Sequence, residues 1–333
     1  MYAAGGGHTV LLTSDGTAVA CGGNHEGQCD IPALAAGLSY MQAAAGFRHT
    51  VLLSSDGAAL ACGNNEQGQC VIPLLDAGLA YTQAAAGYGP TVLLRSDGSA
   101  VAFGNNDECQ CDIPDLNDGR TYAQAAAGGG HTVLLKSDGV AVTCGDNERG
   151  QCDIPALGAC QSYTHAAAGG GHTVLLRSDG AAVACGNNDD GQCDIPALAA
   201  DQIYTQASAG GYHTVLLRND GTVVACGENY SGQCDIPVLT AGLTYRQVAA
   251  GDGHTVLLRS DGTAVACGSD LSGQCKVPVL ATGLFFAAHL LPTLLLQASL
   301  VDGAICFATL GGEERCRFRA GPSALLTGGF SNR

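Results

Sequence analysis

One unit of 41 residues is written seven times along the chain, with no insertion or deletion between copies. A histidine marks the copies at His8, His49, His131, His172, His213 and His254, with Pro90 standing in the third. Asp-Gly pairs recur at the same spacing from Asp15-Gly16 to Asp261-Gly262, and prolines from Pro32 to Pro278. An in-register repeat of this kind means copies of one supersecondary unit, each burying its apolar face against the next. It also sorts the residues. A catalytic residue needs one particular set of partners, so a residue present in every copy reports architecture. Function is to be sought where the copies differ.

The fifth copy shows what the unit is. Residues 172–178, HTVLLRS, read as a strand, and three successive apolar residues in it require burial on both faces. Asp179-Gly180 is a tight hairpin turn, and residues 181–185 are the returning strand. Residues 163–168 read as a third strand, and residues 193–196 give a weak signal for a fourth. A sheet with copies of itself on either side satisfies the burial. The Ala-Ala-Ala-Gly run then suits innermost strands converging on an axis, where only small side chains fit. A parallel β-helix has shorter coils and needs no Asp-Gly hairpin in each. A helical solenoid does not tolerate 49 glycines and lacks the 3.6-residue period it would require. The expected fold is all-β, a seven-bladed β-propeller.

The ends fit a closed ring. An aromatic recurs at Tyr40, Tyr81, Tyr122, Tyr163, Tyr204 and Tyr245 and then as Phe286, while the first unit lacks it. Residues 284–290 are therefore expected to complete the first blade as a clasp, with residues 1–5 competing for the slot. The propeller is assigned residues 1–291. Residues 292–333 read as a C-terminal β-meander extension with turns at Asp302-Gly303 and Gly311-Gly312, either a decayed repeat or a truncated small domain.

With 14 Lys and Arg against 30 Asp and Glu, the formal net charge is −16. That balance argues against nucleic acid, whose phosphates need clustered cations, and points to a protein partner with a basic surface. Met1 leads straight into a repeat with no signal peptide, and no apolar run is long enough to span a bilayer. A cytoplasmic or nuclear protein without membrane contact is expected. Because Met1 falls inside a repeat, the chain also reads as a piece of a longer product.

The chemistry-bearing columns are assigned to structure. Most of the 17 cysteines belong to the repeat, as in Cys62 and Cys70, and Phe103 in place of one marks an apolar slot. They are expected to be reduced core thiols, with Cys109 a surface thiol replacing the repeat glycine. The six histidines, each followed by Thr, are expected to make buried hydrogen bonds. The Asn- and Asp-rich loops such as Asn187-Asn188-Asp189-Asp190-Gly191 lack the EF-hand spacing and set turn geometry instead. The Gly-rich run before each histidine precedes a strand and carries no Lys, so it is no phosphate loop. No catalytic residue, cofactor or metal is expected.

The string G-x-x-H-T, an apolar strand, D-G, a small apolar strand and G-N-N-x-x-G-Q resembles the repeat of the regulator of chromosome condensation family, over residues 1–278. The resemblance implies a seven-bladed propeller. It also implies a range of mostly binding activities, among them nucleotide exchange on a nuclear GTPase, modules of giant ubiquitin ligases and plant ultraviolet-B photoreception. The chain departs from the family in carrying Cys where Trp often precedes the last-strand glycine. With no Trp at all, light sensing through a tryptophan cluster is excluded. No region resembles a ubiquitin-ligase catalytic domain, and no basic tail is present.

Two sets of loop positions vary among the copies. One is the pair before the histidine, as in Phe47-Arg48, Tyr88-Gly89, Gly211-Tyr212 and Asp252-Gly253. The other is the pair before Gly-Gln, from His25-Glu26 to Leu271-Ser272. Aromatic and arginine side chains are the usual anchors of protein interfaces. By resemblance the first set lies on one rim, and Phe47, Arg48, Tyr88, Tyr212 and Asp252 are the candidate binding residues. The expected function is a non-enzymatic protein-interaction propeller. The alternative is a regulatory module of a GTPase exchange factor or of a ubiquitin ligase.

Overall fold

The structure, a computed structural model, describes residues 2–116, 119–280, 283–286, 300–301 and 304–305. It separates into two compact units, residues 1–289 and 290–333. In the second, Leu300–Val301 and Ala304–Ile305 pair antiparallel. The remaining strands and the Gly311-Gly312 turn expected there lie outside the described residues.

The first unit is seven three-stranded antiparallel sheets in chain order, each an inner, a middle and an outer strand. In the fifth blade these are Tyr163–Ala168, His172–Arg177 and Ala182–Gly186. The hairpin expected at Asp179-Gly180 joins the last two, with Gly180 at φ 82° and the Asp179 carboxylate accepting from the N–H of Ala181. The inner strand carries a bulge after its aromatic, pairing Tyr163 with Arg177 but His165 with Leu176. No fourth strand forms at residues 193–196. The backbone there turns on itself, because the Asn188 side chain takes the N–H of Cys193 and Gly191 that of Asp194. A residue whose N–H is held by a side chain is not free to enter a ladder.

The core lies between blades. Seven apolar clusters each join two neighbouring blades, as Val174, Leu176, Tyr204, Ala207 and Leu216 join the fifth and sixth. The middle strand is buried along its whole apolar run, with Val174 and Leu175 fully buried. This is why HTVLL does not alternate: one face of the strand packs on the preceding blade and the other on the next.

The ring closes by sharing the slot that the sequence left contested. Tyr2–Ala4 pairs with His8–Leu12 as the inner strand of the first blade. Phe286 supplies the aromatic position opposite Thr13, and its N–H reaches the Gly262 carbonyl at 3.0 Å. Phe286 is buried with Leu11, Val256 and Leu258, which come from the first and seventh blades. Of the clasp expected at residues 284–290, the described part is Phe286 and its flank, where the Phe285 carbonyl accepts from the N–H of Ser14 at 2.9 Å. Residues 287–290 lie outside the described residues.

Candidate protein-binding face

The loop before each histidine is fixed from two sides. Its first glycine lies over the imidazole: a Cβ at Gly169 would fall 2.4 Å from the His172 ring and 2.5 Å from the Gly210 carbonyl. The residue after it donates its N–H to that same glycine of the next blade. The bonds run Gly6 to Gly46, Phe47 to Gly87, Tyr88 to Gly128, Gly129 to Gly169, Gly170 to Gly210, Gly211 to Gly251, and Asp252 back to Gly5, at 3.0–3.1 Å. Seven backbone hydrogen bonds therefore encircle one mouth of the axial channel. Ala4, Ala45, Ala86, Ala127, Ala168, Ala209 and Ala250 line it, and it encloses about 120 Å³.

The side chains on this ring are Gly6, Phe47, Tyr88, Gly129, Gly170, Gly211 and Asp252, and three of them meet over the channel. Phe47 and Tyr88 pack with ring centroids 4.9 Å apart. The Tyr88 hydroxyl crosses the mouth to donate to the Asp252 carboxylate, three blades away in the shorter direction round the ring. Burial, together with the charge of Asp252, pushes the Tyr88 phenol well above its usual range, so it stays protonated and donating. The glycines make room for this. A Cβ at Gly211 would lie 2.3 Å from Asp252 Oδ1 and 3.0 Å from the Tyr88 hydroxyl, and one at Gly170 would lie 3.1 Å from that hydroxyl.

The second residue of the pair lies beside the Gly-Gln loops. Arg48 packs 5.7 Å from the centroid of the Phe47 ring and donates to Glu26 at 3.3 Å. A Cβ at Gly130 would touch Glu108, and Gly7 faces Ser272. The two variable sets, taken separately in the sequence, thus share one face. Tyr212 is 49%, Tyr230 90% and Leu271 97% exposed there. Of the candidate residues, Phe47, Tyr88 and Asp252 form the bridge over the channel, Arg48 is ion-paired at its edge, and Tyr212 follows Gly211, whose N–H donates to the Asp252 carbonyl at 3.2 Å. Tyr230 and Leu271 were not among the candidates. Their signal was present, since they break the charged character of the pair before Gly-Gln.

The repeated polar residues are used between blades. Each Thr hydroxyl donates to a glutamine carbonyl of the preceding blade, as Thr173 does to Gln151 at 2.8 Å. With its single proton so used, the hydroxyl can only accept from His131 Nε2, 2.8 Å away. The histidines are therefore neutral with the proton on Nε2, while Nδ1 stays buried without a partner. Burial holds them down, His131 to about 4 and His172 to about 3. The chain of bonds closes from His254 to Thr9 and is interrupted where Pro90 faces Thr132. A second clamp went unread in the sequence although it also recurs every 41 residues. The amides of Gln42, Gln83, Gln124 and Gln206 both donate to and accept from the inner strand of the next blade, as Gln42 does with Ala84 at 2.8 and 2.9 Å. His165 takes this place in the fifth blade.

The repeat cysteines are half-buried rather than sealed in the core, because they sit at the outer strand and the loop beyond it. Their thiols bond main-chain carbonyls, Cys144 to Gln110 and Cys152 to Asp146. Burial pushes Cys144 up to about 12 and Cys275 to about 11, which leaves little thiolate to react. Cys109 and Cys160 are exposed.

Seven repeated blades joined by polar clamps, with their differences gathered at one channel mouth, define a repeat propeller with a specialised face. The chain belongs to the regulator of chromosome condensation (RCC1) repeat family, whose model matches residues 3–28, 42–69, 122–151, 163–192, 204–233 and 245–274. The third copy, with Pro90 and Phe103, is outside the matched residues. Among solved structures, Prp20p of Saccharomyces cerevisiae, described by its binding to Gsp1p and histones, is 20% identical. It covers 75% of this chain and 80% of its own, with a TM-score of 0.65. Human WBSCR16 is 20% identical over 73% and 79%, with a TM-score of 0.62. The ectodomain of the Physcomitrella patens receptor kinase CR4 is 17% identical over 80% and 72%, with a TM-score of 0.65. Compared by sequence with curated proteins, the chain matches none.

Proposed function

We propose that the chain is a non-enzymatic binding propeller whose protein partner docks on the face bearing the pre-histidine and pre-Gly-Gln loops. One observation carries the reading. The two variable loop sets share one face, where Tyr212, Tyr230 and Leu271 expose aromatic and aliphatic surface that the fold does not use, although Leu74, Val238 and Val279 are exposed in another column of the repeat. Exposed side chains of these kinds on one face of a rigid scaffold suit a binding surface. The Phe47–Tyr88–Asp252 bridge then serves to hold the face rigid, with less of its surface free for a partner than the sequence suggested.

Capture of partners by wild type and by a Tyr212→Ala/Tyr230→Ala variant, quantified by mass spectrometry, tests this. The partners of the face should drop out with the variant, and equal recovery of every partner would remove the proposed face. A GTPase-exchange role, favoured by the similarity to Prp20p, predicts faster nucleotide release from a GTPase when the protein is added. The binding role alone predicts no change.

A further inference from the structure

The face is unevenly composed. In the first five blades the pair before Gly-Gln is charged or polar, as in Glu66-Gln67 and Asp189-Asp190, whereas the sixth and seventh carry Tyr230-Ser231 and Leu271-Ser272. Tyr212 belongs to the same sector, its carbonyl accepting from the N–H of Glu228 at 2.8 Å. An apolar sector is therefore set beside an acidic arc. Asp252 lies against Gly211, next to Tyr212, its carbonyl accepting from the N–H of Gly211 at 3.2 Å, and Glu228 and Asp190 come from the two preceding blades. Burial raises the Glu228 carboxyl above its usual range, and the charges of Asp190 and Asp252 raise it further, while Glu228 accepts from the Gln233 amide at 3.1 Å and Asp252 from the Tyr88 hydroxyl. The arginines of this face are engaged elsewhere, Arg48 with Glu26 at 3.3 Å and Arg149 with Asp189 at 2.7 Å. Among the described residues, no ion pair relieves Asp190, Glu228 or Asp252.

We infer that this sector docks a cationic protein segment, with an arginine or lysine set against Asp190, Glu228 and Asp252 and a neighbouring apolar side chain against Tyr212, Tyr230 and Leu271. The inference rests on the reading of this face as protein-binding and adds the chemistry of the partner. Charge complementarity decides the occupant. A neutral apolar partner would strip water from these carboxylates without compensating them. An acidic protein or a nucleic acid would be repelled. A guanidinium can bond a carboxylate in its plane while stacking on a tyrosine face, and this sector offers both.

Fluorescence anisotropy on the full chain tests the inference with labelled peptides in which leucine alternates with arginine, leucine with glutamate, or serine with arginine. The arginine–leucine peptide should bind best, and its affinity should fall as salt rises. An Asp190→Asn/Glu228→Gln variant should weaken it about tenfold and flatten the salt dependence. A Tyr230→Ser/Leu271→Ser variant should weaken it and leave the salt dependence in place. Asp190, Tyr230 and Leu271 are exposed and Glu228 is half-buried, and unchanged melting of both variants checks that the fold is kept. Absent binding of the arginine–leucine peptide, equal binding of the glutamate–leucine peptide, or indifference to the charge variant would overturn the inference. If the apolar variant alone weakens both leucine peptides equally, the face binds proteins but not through cations. If no substitution on the face alters peptide binding or partner capture, both readings fail.

Discussion

At the scale of single residues, the histidine column works through a hydroxyl that can give only one proton. Thr173 spends its proton on the Gln151 carbonyl and receives that of His131 Nε2. Thr173→Val keeps the shape and removes both bonds. It strands a buried imidazole N–H and a carbonyl, and should cost about 2–3 kcal/mol in urea unfolding. Pro90 breaks the column, so the buried Thr132 hydroxyl bonds Gln110 without an incoming histidine. Pro90→His should restore the missing link and raise stability by about 1 kcal/mol, seen as a higher melting temperature. The glycine column is dictated by the same imidazole. Gly46→Ala would place a methyl 2.3 Å from the His49 ring and 2.5 Å from a backbone carbonyl, an overpacking that should cost about 1–3 kcal/mol or more in the same assay.

At the scale of elements, each blade is cut short of self-sufficiency. Three strands expose both faces of the middle strand, and only a neighbour on each side buries Val174 and Leu175. The first blade is the test of this dependence, since its inner strand is assembled from Tyr2–Ala4 and Phe286. Phe286→Ala removes a ring that is only 4% exposed in the cluster joining the first and seventh blades. It should lower the urea midpoint by the equivalent of about 3–5 kcal/mol. A variant as stable as wild type would mean that Tyr2–Ala4 closes the ring unaided. The aromatic column made Phe286 legible as a closing residue. The division of the slot was not legible, because the sequence shows two segments fit for it and only their paths through space decide between them.

At the scale of the whole molecule, six buried neutral histidines make stability depend on pH. Their folded values are near 3 or 4 against an ordinary 6.5, as for His8 and His213. Above about pH 6.5 their contribution is complete. As pH falls toward 4 the unfolded chain takes up protons that the folded chain refuses, so stability is lost over that window. The hairpin aspartates, Asp97 and Asp220 among them, are held below their ordinary 3.8, so their contribution falls away only beneath that range. Melting temperatures should be level above about pH 7 and drop steeply between 6.5 and 4. A flat profile there would mean that the histidines are hydrated. The thiols give an independent whole-molecule reading. Among the described cysteines, the exposed Cys160 should react fastest with a thiol reagent at pH 8 in the native state, Cys109 more slowly because the Asp112 carboxylate disfavours its thiolate, and the half-buried repeat cysteines slowest.

The repeat, its hairpin, the number of blades and the assignment of the His, Asp-Gly and aromatic columns to architecture were legible in the sequence. Periodicity and turn chemistry are local, and seven copies make a local signal unambiguous. The glutamine clamp was equally periodic, but its partner is a backbone in the next blade, which sequence spacing does not reveal. What the variable positions contact follows from the folded ring. Phe47, Tyr88 and Asp252 are 41 and 164 residues apart in the chain. Ring closure brings them within contact over the channel and turns the glycines of the intervening copies from filler into clearance for Tyr88. The return of the backbone within the sixth blade likewise sets Glu228 against Tyr212. Whether a loop residue is a structural plug or an open contact depends on what stands across the axis, and that is a property of the ring rather than of any one repeat.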